Sequence, residues 1–478
     1  MPDVVLLFEV HQPRRLRGDL PEALPLAGLG GRLDLERILF DEPLDKLVIT
    51  RAAKRCYLPA NRILLEAIDE HRRGSKRFKA SFSISGVFLE QCERWAPEVV
   101  ESFRALADTG MVEFLEQTYY HSLASMLPEH DELMEQLRMH RELMKDLLGV
   151  EPRAAENTEM IFNNRIAGIL DALGYRVVVT EGVERVLGWR SPNYVYRARG
   201  YRIKVLTRNY RLSDDIGFRF SDRSWSEYPL TADKWAEWVS VTPGDVIVVA
   251  MDYETFGEHH HPSTGIHEFL RWLPRELLRR GNVETVTVSE AAERHEPRGE
   301  LDVPEWSTIS WADERDLSAW LGNEMQWRSF KAYSELEPYV KALGDPEILR
   351  IWRLLGVSDH YYYMATKGGA VGDVHSYFSP LKSPLLAYKA YMSALTALSM
   401  RVAEETSRAR LRLAARLRVS ADKAFRFYES PGLPLGVEAR SLRELLSAVA
   451  TVPASSLTYH LKRGDVQAWL RDLFGLDD

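Results

Sequence analysis

The chain has 478 residues, 45% hydrophobic and 28% charged, with 62 Lys and Arg against 70 Asp and Glu for a formal net charge of -8. That balance fits a folded protein, excludes wholesale disorder and offers no global attraction for nucleic acid. No apolar run reaches the roughly 18 residues of a membrane span, and the 2 cysteines, Cys56 and Cys92, form neither a CxxC pair nor a disulfide framework.

The start, MPDVVLLFEVHQP, has no basic region before its short, acid-bounded apolar run. Val4–Glu9 therefore reads as a first strand, not a signal peptide, and a cytoplasmic location is the simplest expectation. Ile49–Arg73 follows as a helix, Phe78–Ile84 as a strand, Phe88–Leu106 as a helix and Met111–Leu115 as a short strand. His130–Leu148 places Leu133, Leu137, Leu143 and Leu147 on related faces of a helix. Arg153–Glu156 predicts a strand, Thr158–Leu173 a helix ended by Gly174, and Arg176–Val179 a strand. Ser191–Ser240 breaks the rhythm with a hairpin around Gly200 and a polar stretch, and reads as an insertion near 190–240. Val246–Met251 is a fully apolar strand, Gly265–Leu278 a helix and Val283–Val288 a further strand.

Such βα alternation argues for a parallel sheet with covering helices, although periodicity does not separate a closed barrel from an open sheet. Residues 1–297 are expected to form this catalytic unit. Residues 298–431 are mostly helical in pattern, GLPLG (Gly432–Gly436) reads as a linker, and 432–478 as a small helical module.

Chemistry gathers where the strands stop, the edge at which α/β folds build sites. His11-Gln12-Pro13 ends the first strand. Glu116 to His121 follows the third, Glu156-Asn157-Thr158-Glu159 the fourth, and Asp252-Tyr253-Glu254 follows VIVVAM. A carboxyl at the mouth of so apolar a strand needs partners or a raised pKa, which suits a general acid. Its bland alternative is capping of the next turn. Glu159 and Glu156 compete as the second carboxylate, and Glu159 has a bland role as a first-turn helix charge. His11 or His121 alone is more often a structural histidine. The tract His259-His260-His261 points its side chains in different directions. A zinc set of His11, His121 and Asp252 is chemically sensible, but no HExxH or paired CxxC supports a metal, and no glycine-rich loop supports a nucleotide. No cofactor is expected. Two opposed carboxylates among 12 Trp and 20 Tyr suit glycosidic-bond chemistry on a sugar with apolar faces.

These segments resemble glycoside hydrolase family 57, in its α-amylase-like branch. The resemblance rests on VHQP (Val10–Pro13), EFLEQTYYHSL (Glu113–Leu123), ENTEMIF (Glu156–Phe162), MDYETFGEH (Met251–His259) and, more loosely, VETVTVSEA (Val283–Ala291). STISWADERDLSAWLGNEMQ (Ser307–Gln326) and the segment Ser358–Pro380 extend it, so that it covers roughly residues 2–400. The resemblance implies an α/β fold: an incomplete seven-stranded (β/α) barrel followed by a mostly helical region completing the cleft. It implies retaining chemistry on an α-glucan or malto-oligosaccharide, with Glu159 as nucleophile, Asp252 as general acid/base, and carboxyls about 5–5.5 Å apart. His11, Gln12, Tyr120, His121, Glu254 and His259 then become sugar-side or supporting residues. Trp272, Trp327, Trp311, Trp320, Asp359 and His360 are candidates for the cleft wall. Glu113 stands apart: it shares a strand face with Met111, and that face could be cleft or core.

The leading expectation is an α-1,4-glucan hydrolase, with a 4-α-glucanotransferase or branching enzyme as the alternative. A metal-dependent carbohydrate deacetylase would be betrayed by chelator sensitivity, and a non-catalytic glucan binder by binding without a covalent intermediate. Neither nucleic acid nor membrane is an expected partner; oligomeric state is not legible.

Overall fold

The computed structural model describes residues 2–20, 34–367, 379–408, 410–474 and 476. Its strands are β1 (Asp3–Val10), β2 (Ala80–Ile84), β3 (Val112–Leu115), β4 (Ala154–Glu156), β5 (Val177–Glu181), β6 (Val195–Ala198), β7 (Lys204–Arg208), β8 (Val246–Asp252), β9 (Glu284–Thr285), β10 (Glu300–Leu301), β11 (Phe425–Ser430) and β12 (Leu433–Ala439). The main sheet runs β10–β6–β7–β8–β1–β2–β3, with β5 pairing both β7 and β4, and β9 lying against β1. β1 and β8 are buried along almost their whole length. A strand covered on both faces reads as a continuous apolar run, which is what DVVLLFEV and VIVVAMD do.

Parallel pairing carries the sheet from β4 and β5 through β7, β8, β1 and β2 to β3. The curl is thin in two places. A single bridge, Glu116–Ala155, links the end of β3 to β4, and a single register pair, Arg208–Val248, links β7 to β8. At the second place side chains replace the ladder. The Ser213 hydroxyl accepts from the Ala250 amide at 3.1 Å, and Arg208 Nε donates to the Ala250 carbonyl at 2.8 Å. The buried backbone groups are satisfied without strand neighbours, and the result is an incomplete barrel, as expected.

Three expectations change. The stretch read as an insertion contains β7, a core strand; KVLTR is too short and too polar at its ends to announce itself beside its hairpin partner β6. The strand expected over Val283–Val288 shrinks to β9, because Thr287 caps a helix over Val288–Arg294 in a reciprocal box with Glu290, worth about 1 kcal/mol. GLPLG is no linker. Gly432, at φ +78°, turns the β11–β12 hairpin, which packs with the helices Leu442–Val449, Ala454–Arg463 and Asp465–Phe474.

Outer helices cover the barrel with amphipathic faces. Ile266–Arg279 buries Ile266, Phe269, Leu270, Leu273 and Leu277 and pairs Arg271 and Arg275 with Glu66 and Glu70 of the helix Leu58–His71. Burial of each such side chain contributes about 1.5–3 kcal/mol; the exposed ion pairs add little. The helical region, including Glu324–Leu343, Pro346–Leu355, Ser358–Tyr362 and Pro384–Arg408, docks on the strand-end loops. Bridges Phe162–Ile309 and Ser122–Val357 make the join, with Tyr333 stacked on Trp352 at 4.8 Å behind it. Of the family-like segment Ser358–Pro380, residues 368–378 lie outside the described residues. Among the described residues no helix is long and apolar enough to cross a membrane.

Candidate active site

Glu159 does not open a helix. It sits in a one-turn 3-10 element, Thr158–Met160, with a left-handed backbone at φ 60°. A non-glycine residue held there is uncommon and is kept by its surroundings. The next helix starts only at Asn164, where the Asn163 side chain accepts from the Ile166 amide, so residues 157–163 are free to form a loop that lifts Glu159 into the cleft. Two donors from the helical region fix its carboxylate. Trp311 Nε1 donates to Oε2 at 2.7 Å and Ser358 Oγ to Oε1 at 2.8 Å.

Asp252 is the last residue of β8, beside Glu9 of β1 in register. Its side chain keeps 38% of its accessible surface, so it is open to solvent at the strand end. Desolvation there, then the charge of Glu159, pushes its pKa up to about 7, against the opposing pull of His121 and Arg208. His259 Nδ1 lies 3.9 Å from its carboxylate; burial, then His260, holds His259 down to about 3, so the ring is neutral. Glu254, buried two residues further on, accepts from the Tyr57 hydroxyl at 2.5 Å and from Gln12 at 3.5 Å. Burial and the neighbouring Asp252 push it up to about 8.

His11 and His121 stack at 4.1 Å between ring centroids. His11 Nδ1 meets Ser85 Oγ at 2.7 Å and Nε2 meets Asp359 at 3.0 Å. Burial, then His121, lowers the pKa of His11 to about 4. Burial would raise Asp359, yet its three histidine neighbours, His11 first, hold it well below the usual carboxylate range. Both shifts agree with a neutral His11 that accepts from Ser85 and donates Nε2–H to an ionised Asp359. His121, also left-handed at φ 52°, places Nε2 3.5 Å from Glu159.

A carboxylate held by two donors, an acid that keeps its proton near neutrality and a stacked histidine pair thus converge from the ends of β1, β3, β4 and β8. The sequence pattern of Glycosyl hydrolase family 57 matches residues 5–304. The chain belongs to that family. A putative alpha-amylase from Methanocaldococcus jannaschii is 46% identical over 397 residues, covering 81% of this chain and 82% of that protein. The alpha-amylase of Pyrococcus furiosus is 23% identical over 328 residues, 66% of this chain, which spans just 46% of that longer protein. Among solved structures, the fold matches a branching enzyme of this family from Thermococcus kodakaraensis (TM-score 0.62, 14% identity, 85% of this chain and 91% of that one). It also matches a 4-alpha-glucanotransferase from Thermococcus litoralis (TM-score 0.53, 19% identity, 75% of this chain and 56% of that one).

Not every residue singled out from the family-57 motifs lies at this centre. Glu113 accepts from the Ser289 amide at 2.8 Å and from its hydroxyl, at the start of the helix Val288–Arg294; it anchors that helix. Tyr120 is buried against Tyr119, 4.8 Å away, and burial pushes its hydroxyl up to about 12. His360 is buried between Phe40 and Tyr391. Trp272 stands half-exposed on the outer helix under Arg275, and Trp327 is exposed on the helix Glu324–Leu343. The histidine tract diverges: His260 turns inward to Ser221, and His261 caps a turn. Among the described residues no group of three or more His, Cys, Asp or Glu is arranged to hold a metal ion. Sequence reading named Trp311 for the cleft but not as a donor, and passed over Ser358 and Arg208, a buried cation bonded to Glu181 and Asp214 and lying over the Trp311 ring. Of the two, Arg208 had a legible signal, a charge closing an apolar run.

Proposed function

We propose that this protein cleaves α-1,4-glucosidic bonds of maltodextrin, starch or glycogen with retention, through a covalent glucosyl-enzyme. The observation that carries the reading is the division of labour between the two carboxyls. Asp252, pushed up to about 7, keeps a proton to give to the glycosidic oxygen. Glu159, its carboxylate aimed by Trp311 and Ser358, attacks C1. The Asp252 carboxylate then takes a proton from water, whose oxygen displaces Glu159 from C1, and the acid is restored. Asp359, held by His11, and Gln12 with Glu254 offer donors and acceptors for hydroxyls of the sugar in the subsite before the cut. The name of the Methanocaldococcus relative favours water as acceptor.

Transfer to a sugar hydroxyl, giving a 4-α-glucanotransferase or branching enzyme, shares the first half-reaction, and the fold shared with such enzymes makes it the alternative. A timed analysis with maltoheptaose separates them. New reducing ends, absent with Glu159→Gln and Asp252→Asn, are the expected result. Longer chains at constant reducing ends would replace hydrolysis by transfer, and full activity in either variant would overturn the residue roles.

A further inference from the structure

Directly behind His121 lies a second pair of carboxyls that the reaction above does not use. Glu9, in β1, and Glu156, the last residue of β4, are 3% and 1% exposed. None of their four carboxyl oxygens has a well-formed hydrogen bond from a donor group. Burying two bare carboxylates side by side is prohibitive. Each is nevertheless the other's neighbour, close enough to hydrogen-bond: burial, then the charge of Glu156, drives Glu9 up strongly, while burial pushes Glu156 up to about 7 against the opposing pull of the hydrogen bond from Glu9. A hydrogen bond between two carboxyls requires one proton, and one proton suffices.

The other groups facing the pair decide how many charges remain. Glu159 and Asp252 repel a negative charge on Glu9. His121 attracts one: its Nδ1 is 3.2 Å from Glu9 Oε1, while its Nε2 faces Glu159 at 3.5 Å. Ser83 also faces Glu156, but its hydroxyl proton is taken by the Gln117 amide oxygen, 2.9 Å away. The Gln117 amide completes the setting. With its NH2 turned to His121 Nδ1, its oxygen collects Ser83 Oγ and the amides of Ile84 and Ser85. In the neutral ring that leaves the proton on Nε2, toward Glu159, and a second proton, on Nδ1, faces Glu9.

We propose that Glu9 and Glu156 hold one proton between them and act as positioning residues: the single negative charge they keep sits behind His121, facing Nδ1, and favours the protonated ring, whose Nε2–H points at Glu159. The inference rests on Glu159 being the nucleophile only for its catalytic consequence; the charge state of the pair is a property of the free protein. An ester at Glu159 removes the negative charge in front of His121. The charge behind it stays, so the ring keeps an anionic partner through both half-reactions.

The test is the titration of His121 in the full-length protein, followed by NMR of histidine-labelled samples and assigned with His121→Gln. In Glu9→Gln and in Glu156→Gln the remaining carboxyl keeps one charge, and the His121 midpoint stays nearly where it was. In the double variant the charge is gone, and the midpoint falls by about one pH unit or more. Equal falls in both single variants would mean two charges, and no fall in the double variant would mean none; either overturns the proposal. Should the double variant not fold, infrared difference spectra decide. Each single variant must lose one un-ionised carboxyl band at pH 7, where two charges predict no such loss and none predicts that a second band survives. For activity, each single substitution lowers kcat less than tenfold and the double about a hundredfold, at similar KM. A wild-type protein inert on every α-glucan would overturn the glycosidase reading while leaving the His121 titration to judge this one.

Discussion

Asp359 accepts the Nε2 proton of His11 across 348 positions of sequence, at 3.0 Å. One residue follows the first strand of the barrel, and the other belongs to the helix Ser358–Tyr362. The contact fixes the tautomer of His11 and fastens the helical region to the barrel rim.

Asp359→Asn is therefore expected to lower kcat/KM at least tenfold and to cost stability. The sign follows from the depressed pKa of Asp359. A carboxyl lowered on folding stabilises the protein above its ordinary pKa of about 4 and loses that contribution as pH falls toward the folded value. Denaturant titrations should show wild type ahead of the variant at pH 7, with the gap closing below about pH 4.

Asp252 works in the opposite direction. Its folded pKa is raised to about 7, so its acid form is lost as pH rises through neutrality. The pH profile of kcat/KM should turn down above about pH 7. A raised carboxyl contributes stability only at low pH and withdraws it as pH rises through the folded pKa. Asp252→Asn should thus be inactive yet melt higher than wild type at pH 8, measured by calorimetry.

Trp311→Phe keeps an aromatic ring but removes the Nε1–H that meets Glu159 Oε2. The expected loss is in kcat, about ten- to a hundredfold, with KM little changed. Ser358→Ala should act likewise on the other oxygen. An equal rise of KM with constant kcat would assign both residues to sugar binding instead.

Gly257 has φ 143°, and a Cβ there would sit 2.0 Å from the Arg55 carbonyl. Arg55 belongs to a π-helical turn, Ala53–Tyr57, that brings Tyr57 to Glu254. Gly257→Ala should destabilise by about 3 kcal/mol or more, read as a fall in denaturation midpoint. The pKa of Glu254 should move with it, because separating Tyr57 from the carboxylate removes a donor.

Much of the barrel was legible because its strands are buried on both faces: β1 and β8 cannot be mistaken for anything else. Their ends marked Asp252 and the HQP segment for the same reason, since charge after a sealed apolar run needs an explanation. What escaped reading depends on tertiary context. β7 is a strand because β5 takes its edge, which no local pattern states. Glu159 looks like a first-turn helix residue until Asn163 is seen to cap the helix four positions later. Glu113 shares its motif with His121, yet a strand turns it to the far end, where Ser289 is waiting. Ser358 carries no signal at all, being one hydroxyl among many.

The two donors to Glu159 come from positions 311 and 358, far downstream of the strand that bears it. A ribosome that has reached position 300 has made Glu159 and Asp252 but neither of these clamps. The nascent barrel emerges with the proposed nucleophile unaimed, and its two donors arrive only when the later helices settle on the rim. The same wiring constrains inheritance: recombination that exchanges the helical half between relatives would also exchange the grip on Glu159, so the two halves must evolve as one.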